Sequence, residues 1–353
     1  MNFFAEMVSY LQSNYQNYKV AIITNDTILS LYAEPFYRLL KSAKIAAELF
    51  SFPPGEQYKN RHTKEMIEDQ MFFKAFGKDS VVVAMGGGVV TDIAGYVAAT
   101  FCRGVPLVMI PTSLLAMVDA SIGGKNGVDT PSGKNLIGTI YQPQKIIIDP
   151  KFLKSLPVAE FKNGIVEMIK HGAVLDADYF GFMEKNVENI LRQDQKVVEQ
   201  AIQESVRIKT AVVKEDEREK AKRHLLNFGH TYAHAMETLS NYSMGHGEAV
   251  AQGMLVESYM GMLLGKFPQS DFERLKKIVA DYAIPLYFPN GIDAKKIQAC
   301  MVYDKKALKN TPRFVLLKTI GEAYDFQGRY CEYIDESIIT KAIQWMQDDL
   351  CCN

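Results

Sequence analysis

The stretch that most constrains the fold runs from Ser80 to Asn135. Val81-Val82-Val83-Ala84-Met85 is an unbroken apolar run of strand length, as expected of a strand covered on both faces. It turns on Gly86-Gly87-Gly88 and passes into an apolar helical pattern from Val89 to Ala98. A strand that runs through consecutive glycines into a helix start presents unpaired N–H groups and a positive dipole end, which suits a phosphate. The missing Cβ atoms also let a ligand approach the main chain. A second strand, Leu107 to Ile110, closes on Pro111-Thr112-Ser113. Two glycine-flanked lysines follow, Gly123-Gly124-Lys125 and Ser132-Gly133-Lys134-Asn135. A lone glycine turn is weak evidence. Joined to two such lysines it points to an anionic ligand, because Lys places a compact charge on phosphate or carboxylate.

On either side of this stretch the pattern alternates. An amphipathic helix is expected over 1–17, a strand over 19–23 ending in Thr24-Asn25-Asp26, and a helix over 28–43. A strand over 47–52, the turn Pro53 to Lys59, a helix over 64–76 and a last strand at Ile146-Ile147-Ile148 complete the series. Strands alternating with helices give a mostly parallel, doubly wound sheet, in which ligands bind at the carboxyl ends of the strands. Asn25-Asp26, Glu56 to Lys59, the glycine turn and Thr112-Ser113 all fall at such ends. After about Lys151 helical patterns take over, at 161–175, 179–191 and 195–214, and only an extended piece at 312–319 interrupts them. The expectation is an α/β domain over 1–150 and a helical domain over 151–353, with the active site in the cleft between them.

With a net charge of −1 in 353 residues, nothing argues for a nucleic-acid or membrane surface, so any anion site must be local. Apolar runs near 81–120 are broken by glycines, Asp92, Arg103 and Pro111, which excludes a spanning helix there. The five cysteines lack metal-ligand spacing, and the start lacks the features of a signal peptide, so reduced thiols in the cytoplasm are expected.

Five of the six histidines lie between residues 171 and 246. His230 and His234 share a helix face at i, i+4, and His246 sits among small neighbours in Met244-Gly245-His246-Gly247-Glu248. Glu167, flanked by apolar residues, is the best carboxylate to complete an open zinc-type site. Spacing does not choose between His230 and His234, and hydrogen-bonded helix histidines with an ordinary ion pair account for the same residues. Lys125, Lys134, Lys170, Lys209, Arg223 and Lys305-Lys306 are each explained by a solvated face. Taken together with a metal, they describe a pocket for a small polyanion.

Several of these segments resemble 3-dehydroquinate synthases: Gly86-Gly87-Gly88-x-x-x-Asp92, Ser121-Ile122-Gly123-Gly124-Lys125, Gly133-Lys134-Asn135-Leu136-Ile137-Gly138, Glu167-Met168-Ile169-Lys170 and Asn227-Phe228-Gly229-His230-x-x-x-His234. The similarity runs from about residue 19 to 345. It implies a Rossmann-like N-terminal domain followed by an all-α C-terminal domain. The implied reaction, in the shikimate pathway to chorismate and the aromatic amino acids, turns 3-deoxy-D-arabino-heptulosonate 7-phosphate into 3-dehydroquinate and phosphate. It proceeds by NAD-mediated oxidation, phosphate elimination, reduction, ring opening and intramolecular aldol closure. NAD and one divalent metal, zinc or cobalt, are the implied cofactors.

Position by position, the resemblance makes Glu167, His230 and His246 the metal ligands and His234 a substrate contact. NAD would meet Pro54, Gly55, Glu56, Gln57, Tyr58 and Lys59, then Gly88, Val89, Val90, Thr91 and Asp92, then Thr112 and Ser113. Phe152, Leu153, Lys154 and Ser155 would complete that contact, and Lys125 and Lys134 would border cofactor and substrate. Asp119, Asn135, Lys170, Lys209, Arg223 and Asn227 would hold the substrate's hydroxyls, carboxylate and phosphate, with Lys305 or Lys306 adding charge. Arg103 would reach the neighbouring subunit's site, which implies a homodimer. Ser113 stands where a second Thr is common, and Asn25-Asp26 stands where Asp is more typical first, leaving the strand-one ribose contact open. The rival readings are another sugar-phosphate cyclase, a glycerol or alcohol dehydrogenase of the same fold, and a catalytically dead NAD- or metal-binding regulator.

Overall fold

The computed structural model describes residues 3–131, 133–241, 243–289, 291–301 and 312–350. The chain divides into two compact units, Met1–Leu156 and Pro157–Asn353.

In the first unit β1 (Lys19–Asn25), β2 (Ala47–Phe52), β3 (Ser80–Gly86), β4 (Leu107–Pro111) and β7 (Lys145–Ile146) form a parallel sheet in the order β2-β1-β3-β4-β7. Strands β5 (Lys125–Thr130) and β6 (Gly133–Ile140) form a separate antiparallel hairpin. Every residue of β3 and β4 is buried. Their sequences are unbroken apolar runs because neither face meets water. The strand order turns back between β1 and β3, the kind of switch point at which carboxyl ends open a crevice. Thr24 Oγ1 donates to Met85 O there (2.8 Å), tying the two strand ends together.

Helix α1 (Phe3–Asn14) covers part of the length expected, and the helix expected over 28–43 is interrupted. Asp26–Ile28 is followed by a wider turn, Leu29–Ala33, before α2 (Glu34–Ser42) begins. Pro35, in the first turn of α2, has no N–H to give to the turn before it. Helix α3 (Arg61–Phe73) starts earlier than its apolar pattern because Asn60 caps it, accepting from Thr63 N at 3.0 Å. Helix α4 (Gly88–Thr100) follows the glycine turn directly and buries Val90, Ile93, Ala94, Val97 and Ala98. Each of the larger aliphatic side chains contributes roughly 1.5–3 kcal/mol of burial. Gly86 is required, since a Cβ on it would meet the Val90 side chain at 2.5 Å.

The hairpin is the element the sequence does not announce. Lys125-Asn126-Gly127-Val128-Asp129-Thr130 has weak strand propensity, yet Gly127 pairs across with Gly138. A Cβ on either would run into the opposite backbone, so these glycines permit strand contact rather than break it.

The second unit is helical: α5 (Val158–Leu175), α6 (Ala177–Lys185), α7 (Val187–Leu191), α8 (Gln195–Glu215), α9 (His230–Leu239), α10 (His246–Leu263), α11 (Gln269–Asp281), α12 (Ala294–Met301) and α13 (Glu336–Trp345). Asp176 caps α6 through Tyr179 N (2.9 Å) and Asp194 caps α8 through Val197 N (3.0 Å). The helix expected over 179–191 divides at Asn186 into α6 and α7. Helix α10 is buried almost all round, packed by α5, α9, α11 and α13, so that even Gln252 and Glu257 on it are buried. A Cβ on Gly253 of α10 would collide with the Gly229 carbonyl, so the start of α9 lies directly on α10. In a short antiparallel pair, β8 (Leu317–Thr319) lies within the expected extended region, and its partner β9 (Glu322–Ala323) lies just beyond it. Among the described residues no helix is long and apolar enough to cross a membrane.

Gly95 tests the hairpin's seat on α4. The Asn126 side chain fills the space its Cβ would need, and Asn126 Nδ2 donates to Gly124 O (2.8 Å) and Tyr141 O (3.0 Å). Gly95→Val should lower stability by about 2 kcal/mol in urea titration, the scale of core overpacking. Gly181→Ala, on α6 with nothing nearby, should be neutral or stabilising by up to about 1 kcal/mol. Equal effects at the two positions would refute the close packing claimed for Gly95.

Candidate active site

In the helical unit, Glu167, His230 and His246 present one donor atom each within 4.8 Å of one another. Glu167 lies in the middle of α5 with no exposure, whereas His230 and His246 are the first residues of α9 and α10. Glu167 Oε1 is 3.2 Å from His246 Nε2 and 3.6 Å from His230 Nε2. Its other oxygen pairs with the buried Lys170 ammonium, one turn along the same helix. His230 directs Nδ1 at Phe228 O (3.1 Å), and His246 directs Nδ1 at Glu237 Oε1 (3.2 Å). With each Nδ1 so occupied, both Nε2 atoms are turned to the Glu167 carboxylate. Two imidazole nitrogens and a carboxylate oxygen converging in this way suit a divalent cation with an open coordination position. His234, one turn along α9, has its ring centroid 5.6 Å from that of His230 and is not part of the donor group.

The electrostatics favour positive charge at this point. Burial pushes the His246 imidazolium down, but the Glu237 and Glu167 carboxylates outweigh it and raise the group to about 10. Nearby in sequence, Lys209 on α8 is buried, as are Arg223 and Asn227 on the turn Lys222–Asn227. That turn is fixed by Asp216, whose carboxylate accepts from Lys220 N (2.9 Å), Ala221 N (2.7 Å) and Arg223 N (3.1 Å). Burial pushes Asp216 up, and these N–H groups more than offset it, holding the carboxyl below its usual range. Arg223 Nη1 donates to Glu217 O (2.6 Å), and Asn227 Nδ2 to Glu219 Oε1 (2.8 Å).

In the α/β unit a polar network surrounds the turn Glu56–Tyr58. Lys59 is buried and pairs with Asp92 of α4, and its Nζ donates to Asn135 Oδ1 at 2.6 Å. Lys134 Nζ lies 2.9 Å from Glu56 Oε1, while Asn135 N donates to Asp129 Oδ1 at 2.8 Å. The hairpin is tied back to this turn by Asp129 N donating to Lys59 O (2.8 Å). Burial works against the Lys59 charge, but Asp92, Glu56 and Asp129 hold it above its ordinary range. The glycine turn lies against the end of β4: Thr112 N donates to Gly86 O (2.9 Å), and a Cβ on Gly87 would sit 3.2 Å from Ser113 Oγ. Glu56, Lys59, Asp92, Lys134 and Asn135 are thus one cluster, with Gly87, Gly88, Thr112 and Ser113 forming another at the strand ends.

The remaining expected residues have plainer surroundings. Pro54, Gly55 and Gln57 are exposed, with Gly55 at φ +120°, and Tyr58 packs on the core. Val90 is core, and Val89 and Thr91 lie in the first turns of α4, Thr91 Oγ1 donating to Gly88 O (2.9 Å). Phe152 packs on Phe3, Phe4 and Tyr32, and Leu153 is buried. Lys154 is exposed, and Ser155 Oγ meets Tyr32 Oη at 2.6 Å. Asp119 and Lys125 are half-buried, on the turn Ala116–Ala120 and at the first residue of β5. Arg103 is exposed, and Lys305 and Lys306 lie outside the described residues. Sequence reasoning missed Glu237, Asp129 and Asn163, whose Oδ1 accepts from Gly247 N at 3.0 Å. None has a motif of its own; each is found only by what it touches.

The fold is shared with solved structures. A 2-deoxy-scyllo-inosose synthase complexed with carbaglucose-6-phosphate, NAD+ and Co2+ has a TM-score of 0.87 at 24% identity, covering 97% of this chain and 94% of that one. ValA, the 2-epi-5-epi-valiolone synthase of Streptomyces hygroscopicus subsp. jinggangensis 5008 with NAD+ and Zn2+ bound, has a TM-score of 0.86 at 26% identity, covering 94% and 91%. The architecture is therefore that of these two synthases. The family models described as 3-dehydroquinate synthase N-terminal and C-terminal match residues 49–163 and 164–307. The 3-dehydroquinate synthase of Desulforamulus reducens is 40% identical over 320 residues, 90% of this chain and 89% of that protein. The chain belongs to the 3-dehydroquinate synthase family.

Asp129 gives a pH signature. Burial pushes its carboxyl up to about 6, with Lys59 pulling it down and Glu56 pushing it further up. Because the folded value lies above the unfolded one, the folded chain binds the proton more tightly, and this group's contribution to stability falls as pH rises from about 4 to 6. Asp129→Asn removes that dependence. The stability of the variant relative to the parent should rise across that window and then level off, measured by urea midpoints at several pH values. A constant difference from pH 4 to 7 would contradict the raised value.

Proposed function

We propose that this chain is a 3-dehydroquinate synthase, converting 3-deoxy-D-arabino-heptulosonate 7-phosphate to 3-dehydroquinate and phosphate in the cytoplasm. The observation that carries this reading is the convergence of Glu167, His230 and His246 on one point beside buried Lys170, in a chain of that family. Glu167, His230 and His246 would hold one divalent ion, zinc or cobalt. The end of β3, Gly88 to Asp92, Thr112-Ser113 and the Glu56–Lys59 turn would hold NAD. The bound groups supply a hydride acceptor that also returns the hydride, and Lewis acidity at a substrate oxygen.

The chain's own residues hold and orient the substrate. Lys209, Arg223 and Asn227 are buried, so they meet a carboxylate or phosphate with little competing water, where each charged contact is worth about 1.5–3 kcal/mol. Lys170 neutralises one oxygen of Glu167 and holds that carboxylate in place. His234, Asp119, Lys125, Lys134 and Asn135 complete the proposed substrate contacts. So many cations would serve no purpose in a glycerol or alcohol dehydrogenase, and a carboxylate-binding set favours this substrate over those of the sister cyclases.

The proposed assembly is a homodimer, with Arg103 acting on the partner's site. Cys102 (φ 50°), Arg103 (φ 68°) and Gly104 (φ 114°) are three successive left-handed residues, a strained turn that pushes Arg103 into solvent. Beside it, the Phe72 ring packs tilted against Phe101 (4.6 Å between centroids), and Phe73 is 88% exposed, an apolar surface suited to a second copy.

Phosphate release from the heptulosonate phosphate should require only catalytic NAD+, and NADH should not accumulate over many turnovers. NADH formed in proportion to product would make this an ordinary dehydrogenase. Chelator dialysis should abolish turnover, with zinc or cobalt restoring it. His246→Ala should lower metal content by elemental analysis, whereas His234→Ala should keep the metal and lose about 10- to 100-fold in kcat/KM. Inactive Arg103→Ala chains mixed with inactive Lys209→Ala chains should regain part of the activity through hybrid dimers. No recovery, with subunit exchange demonstrated, would remove Arg103 from the partner's site.

A further inference from the structure

Glu237 belongs to no motif, yet it is the only described side-chain carboxylate hydrogen-bonded to the Nδ1 of either imidazole in the donor group. It stands seven residues after His230, two turns along α9, so the two side chains share one face of that helix. Glu237 is 2% exposed, and its Oε1 lies 3.2 Å from His246 Nδ1, on the side of the ring away from Glu167. A single helix therefore delivers His230 to the donor group and a carboxylate to the back of His246. The arrangement is rigid, because Gly229 and Gly253 bring α9 and α10 into backbone contact. Asn163 fixes the same imidazole from the main chain, its Oδ1 accepting from Gly247 N (3.0 Å). His230 differs, since its Nδ1 faces the Phe228 carbonyl, which no side-chain substitution removes.

We propose that Glu237 is a positioning residue for the metal site: by accepting the Nδ1 proton of His246 it fixes the ring angle and reserves Nε2, the atom turned toward Glu167, as the ligand atom. The inference rests on Glu167, His230 and His246 being the ligands. A carboxylate behind a ligand imidazole also raises the ring's basicity, and losing such a partner typically weakens metal binding about 10- to 100-fold. A glutamine at this position can donate its own N–H to Nδ1. The proton then moves to Nε2, and the lone pair no longer faces the ion.

The experiment is calorimetric titration of metal-free protein with Co2+ alone, with the visible cobalt spectrum recorded at saturation. Glu237→Gln should raise the Kd about 10- to 100-fold and shift the spectrum, with the thermal transition retained. Glu237→Asp, which keeps the carboxylate but draws it back, should fall between the two and serves if the glutamine variant folds poorly. His246→Ala should lose at least as much affinity, and the double variant Glu237→Gln with His246→Ala should lose no more than His246→Ala by itself. Losses that simply add would overturn a role exerted through His246. Parent-like affinity and spectrum in Glu237→Gln, while His246→Ala loses metal, would overturn the role of Glu237 and leave the ligand set standing. Parent-like affinity in His246→Ala would overturn the ligand set and this inference with it.

Discussion

A fully buried carboxylate sets the terms for the helical unit. Glu167 has no exposure to water, and an isolated charge in that position would cost several kcal/mol. It survives because Lys170 meets one oxygen and the imidazoles of His230 and His246 meet the other. Those partners come from three places in the chain: the same helix and the first residues of two others. Satisfying one carboxylate therefore fixes how α5, α9 and α10 must meet. The small residues at those crossings, Gly229, Gly247 and Gly253, are the positions where side chains would prevent it.

The α/β unit solves a related problem with backbone rather than charge. Its inner strands β3 and β4 are buried on both faces, so chemistry is offered at the strand ends, where main chain and short side chains are left. Gly86 and Gly87 pack against Val90 and Ser113, and Gly88 begins α4 without a side chain. The cations are kept to the side, on the hairpin and the Glu56–Tyr58 turn. There Lys59 and Lys134 are held by Asp92 and Glu56 and are not free to reach arbitrary anions. Such pairing keeps the side chains ordered, so binding an anionic ligand need not freeze out long flexible chains.

The two units thus offer different chemistry on the same principle. Several groups at the candidate sites are tethered by residues outside the recognisable motifs: Asp129 for Asn135, Asp216 for the Arg223 turn, Glu237 for His246. Groups of this kind are what distinguish a positioned site from a set of compatible residues.

Much of the fold was legible in the residues. The apolar run of β3, the glycine turn and the alternation around them determined a parallel α/β unit. The 3.6-residue periodicity after Lys151 determined a helical one. Local patterns carry this because strands buried on both faces and amphipathic helices leave their own spacing in the chain. Boundaries moved where a cap or proline, not periodicity, decided the matter, as at Asn60 and Pro35. The hairpin Lys125–Ile140 was hidden, because its glycines look like breakers until Gly127 is seen to face Gly138. At the site, the sequence supplied the donor types but could not choose between His230 and His234, which share a face at i, i+4. Only the tertiary structure brought His230 and His246 to Glu167 and set Glu237 behind the ring, since convergence of side chains from separate helices depends on how those helices cross, and crossing leaves no period in the sequence.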